Sequence, residues 1–152
     1  VNAGVSGQTS SIYLTAGLLA CNSADVTDVV YHAGSPNDGA TDKFLASEML
    51  SRTFQMIQYC QQNRLNLFLC TMVPDETHTA TNNSERLNYN NSIRNLASQG
   101  FGTLVDIDAA VSANTTPLGT FKPSMRFDAK HPNDVGMDAE ANLLRDALLA
   151  TW

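Results

Sequence analysis

The chain has 152 residues, 43% of them hydrophobic and 16% charged, a balance that fits one folded domain with a real core and excludes a disordered segment. Its formal charge of −6, with nine Lys and Arg scattered along it, argues against a nucleic-acid or anionic-membrane surface, where clustered cations must meet phosphate. No apolar run approaches the roughly 20 residues that cross a bilayer, and the start lacks the basic and apolar regions of a secretion signal; either the protein is cytoplasmic or any leader lies outside this chain.

The first ten residues, with Gly4 and Gly7 in a polar run, read as a loop. It feeds a helix capped by Ser10 or Ser11, on which Ile12, Ala16 and Leu19 share a face. A loop entering a helix N-terminus offers backbone N–H groups to an anion. Residues 28–34 form a short apolar run that suits a strand buried on both faces of a parallel sheet, ending in the turn-rich stretch 34–39. Ala46, Met49, Leu50, Thr53, Phe54, Ile57 and Cys60 recur at helical spacing after a Thr41 or Asp42 cap.

A second buried strand is expected over residues 65–72, stopped by Pro74. The polar residues 75–83 read as a surface loop. Helical spacing resumes at Tyr89, Ile93, Leu96 and Ala97 and stops at Gly100. Residues 101–107 give the third strand candidate, and 108–126 weaken into loop. Met137, Ala141, Leu144 and Leu148 mark a closing helix with Asp134 or Asp138 near its positive end.

Cys21, Cys60 and Cys70 form no C-x-x-C or Cys/His cluster, so they read as buried thiols, with a Cys60–Cys70 bridge left open. No metal or cofactor is expected. The N-x-S/T triplets at Asn82, Asn90 and Asn114 read as an ordinary polar surface.

Strand-helix alternation implies a parallel sheet sandwiched by helices. Three strands are visible, and a buried strand such as residues 29–33 needs a neighbour on each side. A further strand is therefore expected on the N-terminal side.

The chemistry-bearing stretch is residues 127–136. Asp128 stands three residues before His131, with Pro132 after it. A carboxylate at that spacing can hold one ring nitrogen and leave the other to act on a hydroxyl, which is the base half of a nucleophilic hydrolase. His32 reads as a hydrogen-bonded core or site-wall residue, and His78 as surface.

These blocks resemble the SGNH hydrolase family, the GDSL-type esterases. Residues 1–9 are similar to the second sequence block of that family, 34–38 to the third and 128–132 to the fifth, with Asn133 and Gly136 following the histidine as they do there. The third block departs in carrying Ser35 where glycine is usual. The resemblance implies a flavodoxin-like three-layer sandwich with a five-stranded parallel sheet. It implies the Gly7 N–H and the Asn37 amide as oxyanion donors, each worth roughly 3 kcal/mol to the transition state, with His131 as general base and Asp128 as its orienting acid.

The first block, a Gly-Asp-Ser turn with the nucleophile, has no counterpart. Ser6 stands just before the oxyanion glycine, and Ser10 and Ser11 should start a helix, so none is expected to replace it. The resemblance implies that residues 1–152 are the C-terminal part of one SGNH hydrolase domain. The N-terminal strands are missing from this chain, and an N-terminal segment or second chain would complete the sheet and bring the serine. The expected substrate is a small-molecule or carbohydrate ester, with small acyl groups such as acetate preferred in the absence of an apolar lid. Two rival expectations stand beside it: a metal-dependent phosphoesterase using Asp38, His78, Asp128 and His131, and a hydrolase-derived module that binds or assembles without turnover.

Overall fold

A computed structural model of the protein describes residues 9–22, 25–32, 45–113 and 119–151. The chain runs through α1 (Ser10–Cys21), β1 (Asp28–Tyr31), α2 (Ala46–Asn63), β2 (Asn66–Cys70), α3 (Ala80–Ser98), β3 (Thr103–Val105), a short α4 (Ile107–Val111), a 3-10 turn (Pro123–Met125) and α5 (Asp134–Leu149). The strands pair in parallel in the order β1-β2-β3. Consecutive parallel strands need a long return path, and α2 and α3 provide it. No described helix is long and apolar enough to cross a membrane.

The period-2 geometry of β2 divides the core. Leu67 and Leu69 join Val29 and Tyr31 under residues of α1, α2 and α3, among them Leu14, Met56, Ile57, Tyr89 and Ile93. Phe68 and Cys70 point the other way, into a second cluster with Val105, Ile107, Val111, Phe121 and the Leu143, Leu144, Ala147 and Leu148 side of α5. The result is a flavodoxin-like three-layer α/β sandwich. Its central strand is buried on both faces, as its apolar run predicts, and each fully buried Leu or Phe there contributes roughly 1.5–3 kcal/mol.

Several expectations are corrected. Among the described residues β1 is not buried on both faces: Val30 is 43% exposed although its register partner Phe68 is fully buried, because the α5 layer packs on β2 and β3 and no described helix covers that face of β1. β1 is an edge strand of the described sheet. The core face of α1 is Leu14, Leu18 and Cys21, while Ile12 and Leu19 are exposed. Gly17 decides that rotation, since a Cβ there would lie 3.2 Å from Met56 Cε. Likewise Met137 and Ala141 on α5 face solvent, because Gly136 packs so closely that a Cβ would come within 2.6 Å of the Pro132 Cβ. Phe54 on α2 is exposed as well.

The Thr41 or Asp42 cap lies outside the described residues. α2 starts instead after Leu45, which offers no side-chain cap, and its Ala46 N–H donates to Glu85 Oε2 on α3 at 2.8 Å. Gly100 ends α3 as expected, with φ +84°. α4 occupies part of the stretch read as loop, capped by the Asp106 side chain. Cys60 and Cys70 are free thiols in separate clusters on opposite faces of the sheet, so no bridge joins them. Burial pushes Cys60 up to about 11 and Cys70 up to about 12.

The triplet at Asn90 is not surface. Asn90 is fully buried; its Oδ1 accepts from Met72 N at 2.7 Å and its Nδ2 donates to Met72 O at 2.9 Å. Asn114 lies outside the described residues, and Asn82 is half-buried. Beside Asn90 on α3, Arg86 donates to Met72 O, to Asn83 and to Asp108. Arg94 grips Asp106 with two nitrogens at 2.8 Å and reaches Asp108 at 2.9 Å.

Replacing Asn90 with Ala strands the buried Met72 N–H and leaves the Met72 carbonyl to Arg86 alone, so urea unfolding should show Asn90→Ala destabilised by about 2 kcal/mol. Asn88→Ala, as an exposed control on the same helix, should change stability by less than about 0.5 kcal/mol.

Candidate active site

Asp128 and His131 come together as their spacing predicts. His131 Nδ1 lies 2.9 Å from Asp128 Oδ2 and 3.1 Å from Oδ1. The same carboxylate accepts the backbone N–H of Lys130 at 2.7 Å and of His131 at 2.8 Å. A short acidic side chain that folds back on the next two or three residues is a local Asx turn, made without long-range help. With a proton on Nδ1 the carboxylate is satisfied, and the Nε2 lone pair is left for a hydroxyl. The pair is open, with the His131 side chain 69% and that of Asp128 46% exposed. Among the described residues no serine hydrogen-bonds the His131 ring.

The loop that carries the pair is closed at its neck by a bridge between Arg126 and Pro132, and the Phe127 N–H donates to His131 O at 3.1 Å. It then turns directly into α5. Asn133 caps that helix, its Oδ1 accepting from Gly136 N at 3.1 Å, while its Nδ2 donates to Ser124 O at 3.0 Å. The histidine therefore sits between a fixed turn and a helix start.

Gly7 and Asn37, the expected oxyanion donors, lie outside the described residues, as do Ser6 and Asp38. His78 is not surface. It is buried with Asp75, its Nε2 3.5 Å from Asp75 Oδ2, and helix α3 begins at Ala80 within the stretch read as loop. His78 therefore does not join Asp128 and His131, and among the described residues no three His, Cys, Asp or Glu side chains are placed to hold one ion. His32 follows β1 and bonds the backbone of Thr71. The residue as a whole is exposed, yet desolvation of its imidazole lowers the pKa, against the Thr71 backbone bond, which acts to raise it.

Sequence reasoning missed Glu76. Its backbone N–H donates to Ala129 O at 2.8 Å, and its carboxylate meets Arg126 at 2.6 Å and the Phe121 N–H at 3.3 Å. A glutamate in a polar run carries no periodic signal, so nothing in the spacing marks it.

No protein-family model matches the chain, and no curated protein matches it in sequence. Solved structures do match. The chain is similar to a Bacteroides fragilis protein assigned as an acylhydrolase, with TM-score 0.80 and 21% identity over 95% of this chain and 72% of that one. It is similar to a GDSL-like lipase of Bacteroides thetaiotaomicron, with TM-score 0.82 and 20% identity over 98% of this chain and 75% of that one. It also resembles the acetyl xylan esterase AlAXEase, with TM-score 0.73 and 23% identity over 95% and 78%. The fold is the one shared by GDSL-like lipases and acylhydrolases, the SGNH hydrolase fold.

The hydrogen bonds to Asp128, the His131 ring first and the Lys130 N–H next, hold its carboxyl down to about 2. The folded loop binds this proton less readily than an unfolded Asp at about 3.9, so the turn is fully in place above that value and is lost as pH falls through about 2. Carbon NMR of the Asp128 carboxyl should give a midpoint near 2, and a midpoint near the unfolded value would contradict the turn.

Proposed function

We propose that this protein acts as a serine-type hydrolase of carboxylic esters. The observation that carries the proposal is the Asp128 and His131 pair, held at 2.9 Å in a loop entering α5, in a fold shared with lipases, acylhydrolases and an acetyl xylan esterase. His131 Nε2 takes the proton of a serine hydroxyl as it attacks the acyl carbonyl. The imidazolium then returns the proton to the leaving alkoxide. In the second half-reaction His131 activates water against the acyl-enzyme, and the serine is released. Asp128 fixes the ring orientation and stabilises the imidazolium. Gly7 N–H and the Asn37 amide are assigned to the oxyanion.

In this reading the serine lies outside these 152 residues, on a segment that adds strands to the open side of β1. Two features support it: β1 is an edge strand among the described residues, and Val30 is exposed on a face where its neighbour Phe68 is buried. An added strand would pair the open edge of β1, and a helix packed behind that strand would cover Val30. Small acyl groups, including O-acetyl groups on carbohydrate, are the proposed substrates, and the similarity to an acetyl xylan esterase supports that choice.

The test is hydrolysis of p-nitrophenyl acetate by the intact protein that carries this chain. His131→Ala should lower kcat by about a thousandfold or more, Asp128→Asn should also lower it, and chelator should have no effect. Turnover that survives His131→Ala, or that chelator abolishes, would contradict the proposal and favour the metal-dependent alternative.

A further inference from the structure

The loop carrying Asp128 and His131 is long, exposed at its tip and bridged to itself only at Arg126 and Pro132 among the ladder contacts. Asn133 ties its far end to Ser124 and α5, and the short stretch between β2 and α3 ties its neck and tip to the body of the protein. Glu76 meets it at both ends. Its carboxylate pairs with Arg126 at the neck, 2.6 Å away, and its backbone N–H donates to Ala129 O at the tip, 2.8 Å away. A third bond, from the Phe121 N–H at 3.3 Å, fixes the carboxylate from the side. The neighbouring Asp75, buried, faces Lys130 at 3.9 Å.

The Glu76 side chain is only 16% exposed, against 48% for Arg126. A charge pair with one partner mostly withdrawn from water is worth more than an exposed pair and costs more to break. It spans two segments that no helix or strand joins. The Asx turn at Asp128 sets the distance between the carboxylate and the ring, but it leaves free the direction in which the whole turn points. Asn133 anchors the base of the loop to Ser124 and α5, and at the tip the contact from outside the loop is the Glu76 N–H on Ala129 O.

We infer that Glu76 is a positioning residue, which orients the Asp128 and His131 turn by clamping Arg126 and Ala129 and so holds His131 Nε2 at the C-terminal end of the sheet. The inference rests on reading His131 as the base, and its readout needs no turnover. Among the described residues the charged groups around the loop are Asp75, Glu76, Arg126, Asp128 and Lys130, so removing Glu76 also changes the local field. A double-mutant cycle separates orientation from field.

The chain has three histidines, so the His131 ring Cε1–H resonance is readily assigned in a carbon-proton NMR spectrum by its loss in His131→Gln. Asp128→Asn defines where that resonance lies without the pairing. Glu76→Ala should move the wild-type resonance toward the Asp128→Asn position, and Glu76→Gln, which keeps an acceptor for Phe121 N–H and Arg126, should move it less. In the Asp128→Asn background Glu76→Ala should move it by no more than a linewidth.

Arg126→Ala breaks the same clamp from the loop side and should reproduce the shift, which keeps the test decisive if Glu76→Ala fails to fold. A resonance that stays at the wild-type position in both clamp variants overturns the inference. So does an equal shift with and without Asp128, since that would be the field of a lost charge alone. Either result leaves the esterase assay untouched, so failure of the clamp and failure of the hydrolase reading are distinguishable.

Discussion

Where β2 runs out, the peptide of Met72 is buried and has lost its strand neighbours, and α3 supplies what the sheet no longer does. Asn90 bonds both the N–H and the carbonyl, and Arg86 adds a second donor to the carbonyl. A buried peptide without these partners would cost several kcal/mol. Arg86 is itself 1% exposed, a charge tolerable inside only because Asp108, Asn83 and Met72 absorb its donors. Asp108 in turn is shared with Arg94, Arg94 with Asp106, and Asp106 with Thr71 Oγ1 at 3.0 Å. One polar cluster thus knits the ends of β2 and β3 to α3 and α4.

That cluster sets the platform for the site. In open parallel sheets, functional groups gather at the carboxyl ends of the strands, where loops leave the ladder. Here the loop after β2 leaves from the pinned Met72, passes through buried Val73, Pro74 and Asp75, and presents Glu76 to the loop that carries His131. Rigidity therefore runs from the buried charges outward to the imidazole. A second consequence lies at the other edge. Both β1 and β3 are edges of the described sheet, but α5 covers the face of β2 and β3 and, among the described residues, not that of β1, and the β1 side is where the proposal places the serine.

The parts legible in the sequence were those decided locally. The Asp128 turn needs only a carboxylate three residues before a histidine, and the strands and helices announce themselves by apolar period and by Gly100 and Pro74. Helix rotation was less legible. Ile12 and Leu19 on α1, and Met137 and Ala141 on α5, share the spacing of a core stripe, and the true stripe is chosen by how closely Gly17 and Gly136 let their neighbours approach. Val30 was misread because an apolar run cannot reveal how far the opposite helix layer extends. Asn90, Arg86 and Glu76 were illegible for one reason: each is a polar residue whose long-range partners lie 14 to 53 positions away, and single-sequence patterns carry no such pairings. Gly7 and Asn37 lie outside the described residues, so their roles stay with the resemblance and the proposal.

The most direct measurement is fluorophosphonate labelling of the intact folded protein, followed by peptide mass mapping of the adduct. The account predicts one modified serine on a peptide outside these 152 residues, with labelling strongly slowed in His131→Ala. An adduct on a serine within this chain would contradict the placement of the nucleophile. A folded protein that takes no label would contradict serine-type catalysis itself.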